Sequence, residues 1–323
     1  MALDVAVVTF CWGKYGAGHV NTLQRMVAAN LSVKHRFVCV TDKPEGMECE
    51  TVPLPEVPHI EGRPRNFAKL YAFEEKFQRS LKAKRVALLD LDAVICDDIG
   101  TLIDQPVPFA IMRGTKSCHG GQLAPYNSSF WTCKPGKLGR VWESFGPDAK
   151  TELDAVRMPG RGLAVGSDQV WIASQVPDAP TLDEADGLYQ YVSMPAGDAP
   201  ENTRVVFFAG DVKQWSDAVW RAKPAVAAAW RCYAEDKVPP FQPRNGGRCL
   251  VLGRGESIWA DVDVAIDRGA FDGVVSVPEA ALHWPRPVDG LGLTLDACIR
   301  RAKALGFDDL VICGAETKHL EAA

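Results

Sequence analysis

The chain of 323 residues is long enough for one large domain or two of ordinary size. Its hydrophobic content of 47% and charged content of 24% are typical of a globular protein that folds in water. Lys and Arg number 36 against 41 Asp and Glu, and the resulting net charge of −5 offers no general attraction to nucleic acid or to an anionic membrane.

The first half of the chain alternates short apolar runs with amphipathic stretches. Strands are predicted at 4–10 and 36–41, because both segments are short, apolar and rich in valine. Val20, Leu23 and Val27 recur at helical spacing and predict a helix over 19–31. The same reasoning predicts further strands at 86–92, 108–112, 128–133 and 204–209, and further helices at 67–81, 167–174 and 218–233.

Strands separated by helical stretches predict an α/β fold with a mostly parallel sheet flanked by helices. The segment 239–247, rich in proline and glycine, is the best candidate linker. It separates a predicted domain at 1–238 from a small α/β module at 248–323. In this module strands are predicted at 248–252, 273–277 and 309–313, and helices at 258–268 and 294–305.

Glycines follow the first predicted strand of this module. Gly253 and Gly255 come after a strand and before a helix, which is the placement of a phosphate-binding turn. The full G-x-G-x-x-G pattern is missing because position 258 is Ile. A tight strand-to-helix turn is the simpler explanation of the two glycines.

Two aspartates interrupt the apolar run at 85–95. Asp90 and Asp92 are one residue apart, so on a single strand their carboxylates would point to the same side. Two carboxylates at the carboxyl end of a strand suit a hard divalent cation, which in turn can hold a diphosphate. A pair of solvated aspartates in a turn is the alternative, but burying charge without a partner is costly and the apolar surroundings favour a functional pair.

The ten cysteines are scattered, with no C-x-x-C and no regular spacing. This pattern predicts reduced thiols in a cytoplasmic protein, with neither a disulfide framework nor a zinc site. No apolar run reaches the length of a membrane span, and the first residues lack the order of a signal peptide. We therefore expect no membrane span.

Several fragments of the first 215 residues occur in an order that resembles a known family. They are Thr9, Tyr15, Asn66-Phe-Ala-Lys-Leu70, Asp90-Leu-Asp92, Tyr126-Asn-Ser-Ser129, Gly166-Ser-Asp-Gln-Val170 and Phe207-Phe-Ala-Gly-Asp-Val-Lys-Gln-Trp215. The order resembles glycosyltransferases of the glycogenin and bacterial galactosyl- and glucosyltransferase type, which have a GT-A fold. The resemblance covers roughly the first two thirds of the chain. The C-terminal segment resembles a small Rossmann-like module that is joined to such transferases.

The resemblance implies transfer of a hexose from a UDP-sugar, or from another nucleotide-diphosphate sugar, to an acceptor. It implies Mn²⁺ or Mg²⁺ on the D-x-D, with a protein, glycan, lipid or modified nucleic acid left open as acceptor. The cation ligands would be Asp90 and Asp92, and the catalytic residues would be Asn127, Asp168 and Lys213. Further donor contacts are implied for Thr9 and Tyr15 near the base, Gln169 near the sugar, and Lys69 and Gly210 near the diphosphate.

Most of these residues also have an ordinary structural explanation. The amide of Asn127 could close an Asx turn, and Asp168 could stabilise a helix N-terminus. Lys69 and Lys213 could be solvated surface lysines, and Tyr15 could pack on its own domain. The sequence leaves these alternatives open.

The chain departs from the family in the last of these fragments, residues 207–215, which we call the late motif. Phe207 stands where the family has a metal-binding histidine, and Gln214 replaces a proline. Asp211 is a possible substitute ligand, and an oxygen-only site needs no imidazole. The departure also permits a non-catalytic nucleotide-sugar-binding module with a degraded metal site. A sugar-1-phosphate nucleotidyltransferase is a third alternative, although the loop after the first strand lacks the arginine and glycine run of such enzymes.

Overall fold

The computed structural model describes residues 4–56, 65–114, 125–145, 168–208, 212–254, 258–267 and 270–313. The chain divides into two compact units. The first consists of residues 1–21, 33–91 and 100–193, and the second of residues 22–32, 92–99 and 194–323. The domain boundaries suggested by the linker at 239–247 stay a prediction.

A seven-stranded sheet forms the centre of the first unit, in the order β3-β2-β1-β4-β7-β6-β8. Pairing is parallel from β3 to β4 and between β6 and β8, and antiparallel on both sides of β7. The α/β class with a mostly parallel central sheet is therefore confirmed. The strands are β1 Val5–Cys11, β2 His35–Thr41, β3 Glu50–Pro53, β4 Arg85–Leu89, β6 Phe109–Arg113, β7 Tyr126–Cys133 and β8 Thr181–Leu182, with β9 Leu188–Gln190 following in the chain.

Helices pack on this sheet around an aromatic core. Phe73 stacks on Trp131 with ring centroids 4.4 Å apart, and Phe67 stacks on Phe145 at 5.2 Å. These rings are almost fully buried, so the 3₁₀ helix that carries Phe67 and Phe73 is held against the sheet. The α-helices whose bounds lie in this unit are α2 Glu75–Ser80, α3 Gly100–Ile103, α4 Arg140–Glu143 and α5 Asp168–Gln175; 3₁₀ helices cover Arg65–Phe73, Glu184–Asp186 and Tyr191–Ser193, and α1 covers Ala17–Asn30.

The helix predicted at 67–81 is two helices. A 3₁₀ helix ends at Phe73, and α2 begins after Glu74. Glu74 has extended backbone angles, and its carboxylate accepts a hydrogen bond from the N–H of Phe77. This is the geometry of a helix N-cap, and the carboxylate also lies at the favourable end of the helix dipole. The apolar periodicity runs across the break and hides it.

The prediction of a strand at 86–92 is also wrong for residues 90–92. β4 ends at Leu89, whose partner in β7 is Phe130, and the N–H of Asp90 then donates to the carbonyl of Ser129 at 3.0 Å. Asp90 and Asp92 lie in the turn that follows, and the chain resumes as β5 at Ala93–Ile95. The alternation of a single strand therefore does not fix the direction of the two carboxylates.

The second unit contains a four-stranded, wholly parallel sheet in the order β13-β12-β11-β14. The sequence predicted three strands here, and the fourth is the two-residue β13. The order places the first strand of the module between the second and the fourth, as in half of a Rossmann sheet. Its elements are β11 Arg248–Leu252, α8 Ile258–Asp267, β12 Gly273–Ser276, α9 Pro278–His283, β13 Gly290–Leu291, α10 Leu295–Leu305 and β14 Asp309–Cys313.

Two helices replace the single helix predicted at 218–233. They are α6 Asp217–Ala222 and α7 Pro224–Ala234, separated by Lys223. A residue that precedes proline is disfavoured in the helical region, and Lys223 has φ −142° and ψ 66°. Its ammonium donates to the carbonyls of Pro195 and Gly197, and burial lowers its pKa below the ordinary lysine value.

No helix in the part of the chain that the structure describes is long and apolar enough to span a membrane. The nine cysteines within that part are free thiols, and all but Cys49 are buried.

In the second unit β5 pairs antiparallel with β10, Val205–Phe207. That pairing brings the late sequence motif beside Asp92.

Candidate active site

A lysine holds the first aspartate of the D-x-D in the first unit. Lys69, on the 3₁₀ helix, donates from Nζ to both carboxylate oxygens of Asp90, at 3.2 and 3.1 Å. The side chain of Lys69 is 11% exposed and that of Asp90 24%, so water reaches the pair only in part. The ion pair is therefore stronger than one on an open surface.

The same lysine connects Asp90 to a buried carboxylate at the start of α5. Asp168 is 2% exposed and lies 3.5 Å from Lys69 Nζ. Its Oδ2 accepts a hydrogen bond from Ser128 Oγ at 2.6 Å, and its Oδ1 accepts one from Asn66 Nδ2 at 3.0 Å. Ser128 Oγ in turn accepts from Lys69 at 3.0 Å. A buried carboxylate needs such partners, and these fix its orientation.

Sequence reasoning named Lys69, Asp90 and Asp168 but did not name Asn66 and Ser128 as functional. Both stand inside the fragments that carried the family resemblance, so the signal was present. Their role emerges only from contacts across 102 and 40 residues of chain.

A second lysine holds the second aspartate, in the second unit. Lys213 Nζ lies 2.6 Å from Asp92 Oδ2 and donates also to the carbonyl of Phe208 at 2.7 Å. The N–H of Phe208 donates to the carbonyl of Asp92 at 2.9 Å, which extends the pairing of β5 and β10 by one residue. The side chains of Lys213 and Asp92 are 8% and 19% exposed. Asp92 of the D-x-D therefore lies beside the motif at 207–215.

Phe207, at the position of the family histidine, is a core residue. It is 2% exposed and pairs with Ala93 in the β5–β10 ladder. Phe208 and Gln214 are buried as well. Gly210 and Asp211, which the sequence assigned to the donor and to the metal, lie outside the described residues. Within the described ranges no three His, Cys, Asp or Glu side chains are grouped so that they could hold a metal ion.

Asn127 lies in β7 at an irregularity of the sheet. Its Oδ1 accepts a hydrogen bond from the N–H of Ser129 at 2.9 Å, so the amide oxygen supports the local backbone as an Asx turn does. The pairing register with β6 shifts between Ile111 and Met112, opposite this segment. Residues 128–130 of β7, which include Ser128, therefore have no partner in β6, and irregularities of this kind re-aim side chains.

The residues predicted near the nucleotide base differ in accessibility. Thr9 is fully buried in β1, and its hydroxyl has no hydrogen-bond partner among the described residues. Tyr15 lies half-buried in the loop after β1, with its ring edge-on to His19 at 5.4 Å. Burial lowers the pKa of His19, whose Nδ1 accepts from the N–H of Gly16 at 3.3 Å. Gln169, the second residue of α5, is half-buried.

No protein-family model matches the chain, and no curated protein matches its sequence. Solved structures do resemble it, and glycosyltransferases are among them. One is the galactosyltransferase LgtC in complex with donor and acceptor sugar analogues, with 13% identity over 72% of this chain and 95% of that chain and a TM-score of 0.48.

An active-site mutant of LgtC is 12% identical over the same shares of the two chains, with a TM-score of 0.48. The apo form of the glycosyltransferase GlyE from Streptococcus pneumoniae TIGR4 is 13% identical over 93% of this chain and 83% of that chain, with a TM-score of 0.47.

Proposed function

We propose that the protein is a glycosyltransferase that moves a hexose from a nucleotide-diphosphate sugar, UDP-linked, to an acceptor. The observation that carries the proposal is the pairing of each D-x-D aspartate with its own partly shielded lysine, Lys69 on Asp90 and Lys213 on Asp92. A simple solvated turn would leave these aspartates in water. Two ammonium groups held in place beside neighbouring carboxylates suit a ligand that carries several negative charges.

The lysines would act on the leaving group. Breaking the bond between the sugar and the diphosphate builds negative charge on the diphosphate. Ammonium groups already positioned by Asp90 and Asp92 stabilise that charge without having to reorganise at the moment of reaction. Lys69 and Lys213 are therefore assigned to the diphosphate, and the aspartates orient them until the donor binds.

The family also implies a divalent cation, and the side chains of Asp90 and Asp92 fit one. Carboxylate oxygens are the ligands that Mg²⁺ and Mn²⁺ prefer, and both carboxylates remain partly exposed. Alpha carbons two residues apart are separated by at most about 7 Å, and both carboxylates are proposed to bind one ion. Asp90 and Asp92 would hold the cation, which would supply further positive charge to the leaving group.

Asp168 is assigned to the donor sugar. Asn66 and Ser128 donate to its two oxygens, which leaves the other lone pairs to accept from sugar hydroxyls. Asn127 and Gln169 are proposed to contact the same sugar, and Thr9 and Tyr15 the base. Gly210 is proposed to approach the diphosphate, and the module at 248–323 to be an accessory domain. The free thiols support a cytoplasmic location.

One observation favours a second candidate, a module that binds nucleotide-sugars without turnover. Phe207 is part of the hydrophobic core, so the position of the family histidine supplies no ligand. Such a module would bind UDP and release none from a UDP-sugar.

Release of UDP from a panel of UDP-sugars, with Mn²⁺ and without acceptor, tests the proposal. We expect slow hydrolysis of at least one donor by the wild-type protein and none by Asp92→Asn. Asp309→Asn, which alters a carboxylate that is 63% exposed on the C-terminal sheet, serves as the matched control and should behave as wild type. A protein that binds UDP but never releases it from any donor is the binding module. An active Asp92→Asn variant would remove the D-x-D from the mechanism.

A further inference from the structure

A small pocket lies directly after Lys213 in the second unit. It has a volume of about 290 Å³ and is lined by residues 214–217 and by Ala227, Trp230 and Arg231. The last three are spaced i, i+3 and i+4 on α7, so they form one face of that helix. We call this the tryptophan pocket.

Two indole rings form its apolar walls. Trp215 and Trp230 have ring centroids 5.7 Å apart, and their planes are inclined by 48°. The tilted rings pack on each other, yet Trp215 is still 40% exposed, which is high for so large an apolar side chain. The walls therefore present an open aromatic platform.

The polar groups of the pocket are suited to hydroxyls and not to an anion. The Oγ of Ser216 is buried without a hydrogen-bond partner among the described residues, and rotation of this side chain toward the pocket would let a bound hydroxyl remove that cost. Asp217 contributes a carboxylate. The basic lining residue Arg231 is already paired with Glu235 at 2.6 Å. Excess positive charge, which a phosphate would need, is absent from this set of lining residues.

The chemistry and size of the pocket point to a neutral sugar ring. A pyranoside has an apolar face of C–H groups and a rim of hydroxyls, which matches an aromatic wall beside serine and aspartate. The volume lies just below the usual range for small-molecule sites, so a single ring fits better than a nucleotide.

The chain connects this pocket to the lysine that holds Asp92. The N–H of Ser216 donates to the carbonyl of Lys213 at 2.8 Å, so one turn carries both residues. We propose that the tryptophan pocket binds a neutral pyranoside and, as the part that rests on the proposed function, that this ring belongs to the acceptor. The acceptor class is then a glycan or glycoside.

Binding of simple glycosides to the full chain tests this proposal. Methyl β-D-galactopyranoside and methyl β-D-glucopyranoside are titrated up to about 50 mM, with saturation-transfer NMR and tryptophan fluorescence as readouts. We expect millimolar binding of at least one glycoside. Trp215→Ala should weaken this binding at least tenfold, and Ser216→Ala should weaken it several-fold, because both groups contact the ring.

A matched tryptophan separates a specific effect from a general one. Trp259 is 42% exposed and stacks on Trp284 on the C-terminal module, so Trp259→Ala removes a similar surface away from the pocket. It should leave glycoside affinity within twofold of wild type. Circular dichroism and thermal unfolding establish that each variant is folded, and the mild Ser216→Ala change keeps the test open if Trp215→Ala is unstable.

Each outcome decides a different claim. Glycoside binding that is equal in wild type and both pocket variants overturns the proposal, as does UDP binding with no glycoside binding at 50 mM. Glycoside binding that the pocket variants lose, in a protein that does not bind UDP, supports the sugar pocket and overturns the proposed function. Binding of UDP together with glycoside binding that depends on Trp215 supports both.

Discussion

Replacing Lys213 with methionine separates the two roles assigned to this side chain. The change removes an ammonium that lies 2.6 Å from Asp92 Oδ2 and 2.7 Å from the carbonyl of Phe208, and keeps much of the apolar stem. If Lys213 contacts the diphosphate, its loss removes a charge-assisted hydrogen bond of about 1.5–3 kcal/mol. The dissociation constant for UDP should therefore rise by roughly 10- to 150-fold.

The same substitution should act in the opposite direction on a divalent cation. Without the ammonium, the carboxylate of Asp92 has lost a strong competitor for any cation. The affinity for Mn²⁺ in the absence of nucleotide should therefore increase. Opposite changes in two affinities are hard to produce by general unfolding, which would lower both.

Isothermal titration calorimetry with UDP alone and with Mn²⁺ alone measures both effects. Lys303→Met, an exposed lysine on α10, is the matched control and should change neither affinity. The substitution leaves Asp92, which is only 19% exposed, without this partner, so we expect the free energy of unfolding to fall by about 1–3 kcal/mol. Thermal unfolding establishes that the variant is still folded. A folded Lys213→Met protein with unchanged UDP affinity would refute the assignment, and weaker binding of Mn²⁺ would refute the competition.

Three further predictions concern other parts of the chain. Asp168→Asn should lower the rate of UDP release at least 100-fold, because its oxygens are assigned to the donor sugar; a rate near wild type would contradict that role. Burial raises the pKa of the Cys133 thiol from 9.0 to about 12, so above pH 9 the unfolded chain loses this proton and the folded chain keeps it. The free energy of unfolding that this group contributes below pH 9 is then lost at about 1.4 kcal/mol per pH unit up to pH 12. In Cys133→Ala, the free energy of unfolding measured in urea should therefore fall less steeply with pH. Gly306→Ala should destabilise the fold by about 1–3 kcal/mol, because φ is +97° and the new Cβ would meet the carbonyl of Arg244. Gly18→Ala, in α1 with no atom near the added Cβ, is its control and should be neutral or slightly stabilising.

The sequence predicted the α/β class because strand and helix periodicities are local. It failed where a break is set by a few polar contacts inside an apolar pattern. Leu89 to Ala93 is such a place: the apolar run continues in sequence, but β4 ends when its partner β7 ends its pairing at Phe130. The turn that carries Asp90 and Asp92 therefore depends on a strand about 40 residues away. Periodicity alone cannot reveal it.

The order of the motifs identified Lys69 and Lys213 as candidate site residues, but it could not predict which aspartate each lysine would pair with. Lys69 is 21 residues from Asp90, and Lys213 is 121 residues from Asp92, so each pair depends on the folded chain. Burial of Asp168 was equally hidden, because an aspartate at the start of a helix is most often solvated. Phe207 was recognised as a departure from the family, and the structure supplies its reason: the side chain fills the core behind the β5–β10 pair.

The charges assigned to the donor predict that nucleotide and cation bind together. The described residues assigned to the donor or the cation include two lysines, Lys69 and Lys213. They also include three aspartates, Asp90, Asp92 and Asp168, so acidic groups outnumber basic groups before any ligand binds. An anionic diphosphate adds further negative charge, which two lysines already shared with carboxylates cannot balance. If Asp90 and Asp92 held a divalent cation, its two positive charges would lower this excess of negative charge. Calorimetry should therefore give a tighter UDP affinity with Mn²⁺ than without it, whereas equal affinities would mean that the lysines alone neutralise the nucleotide.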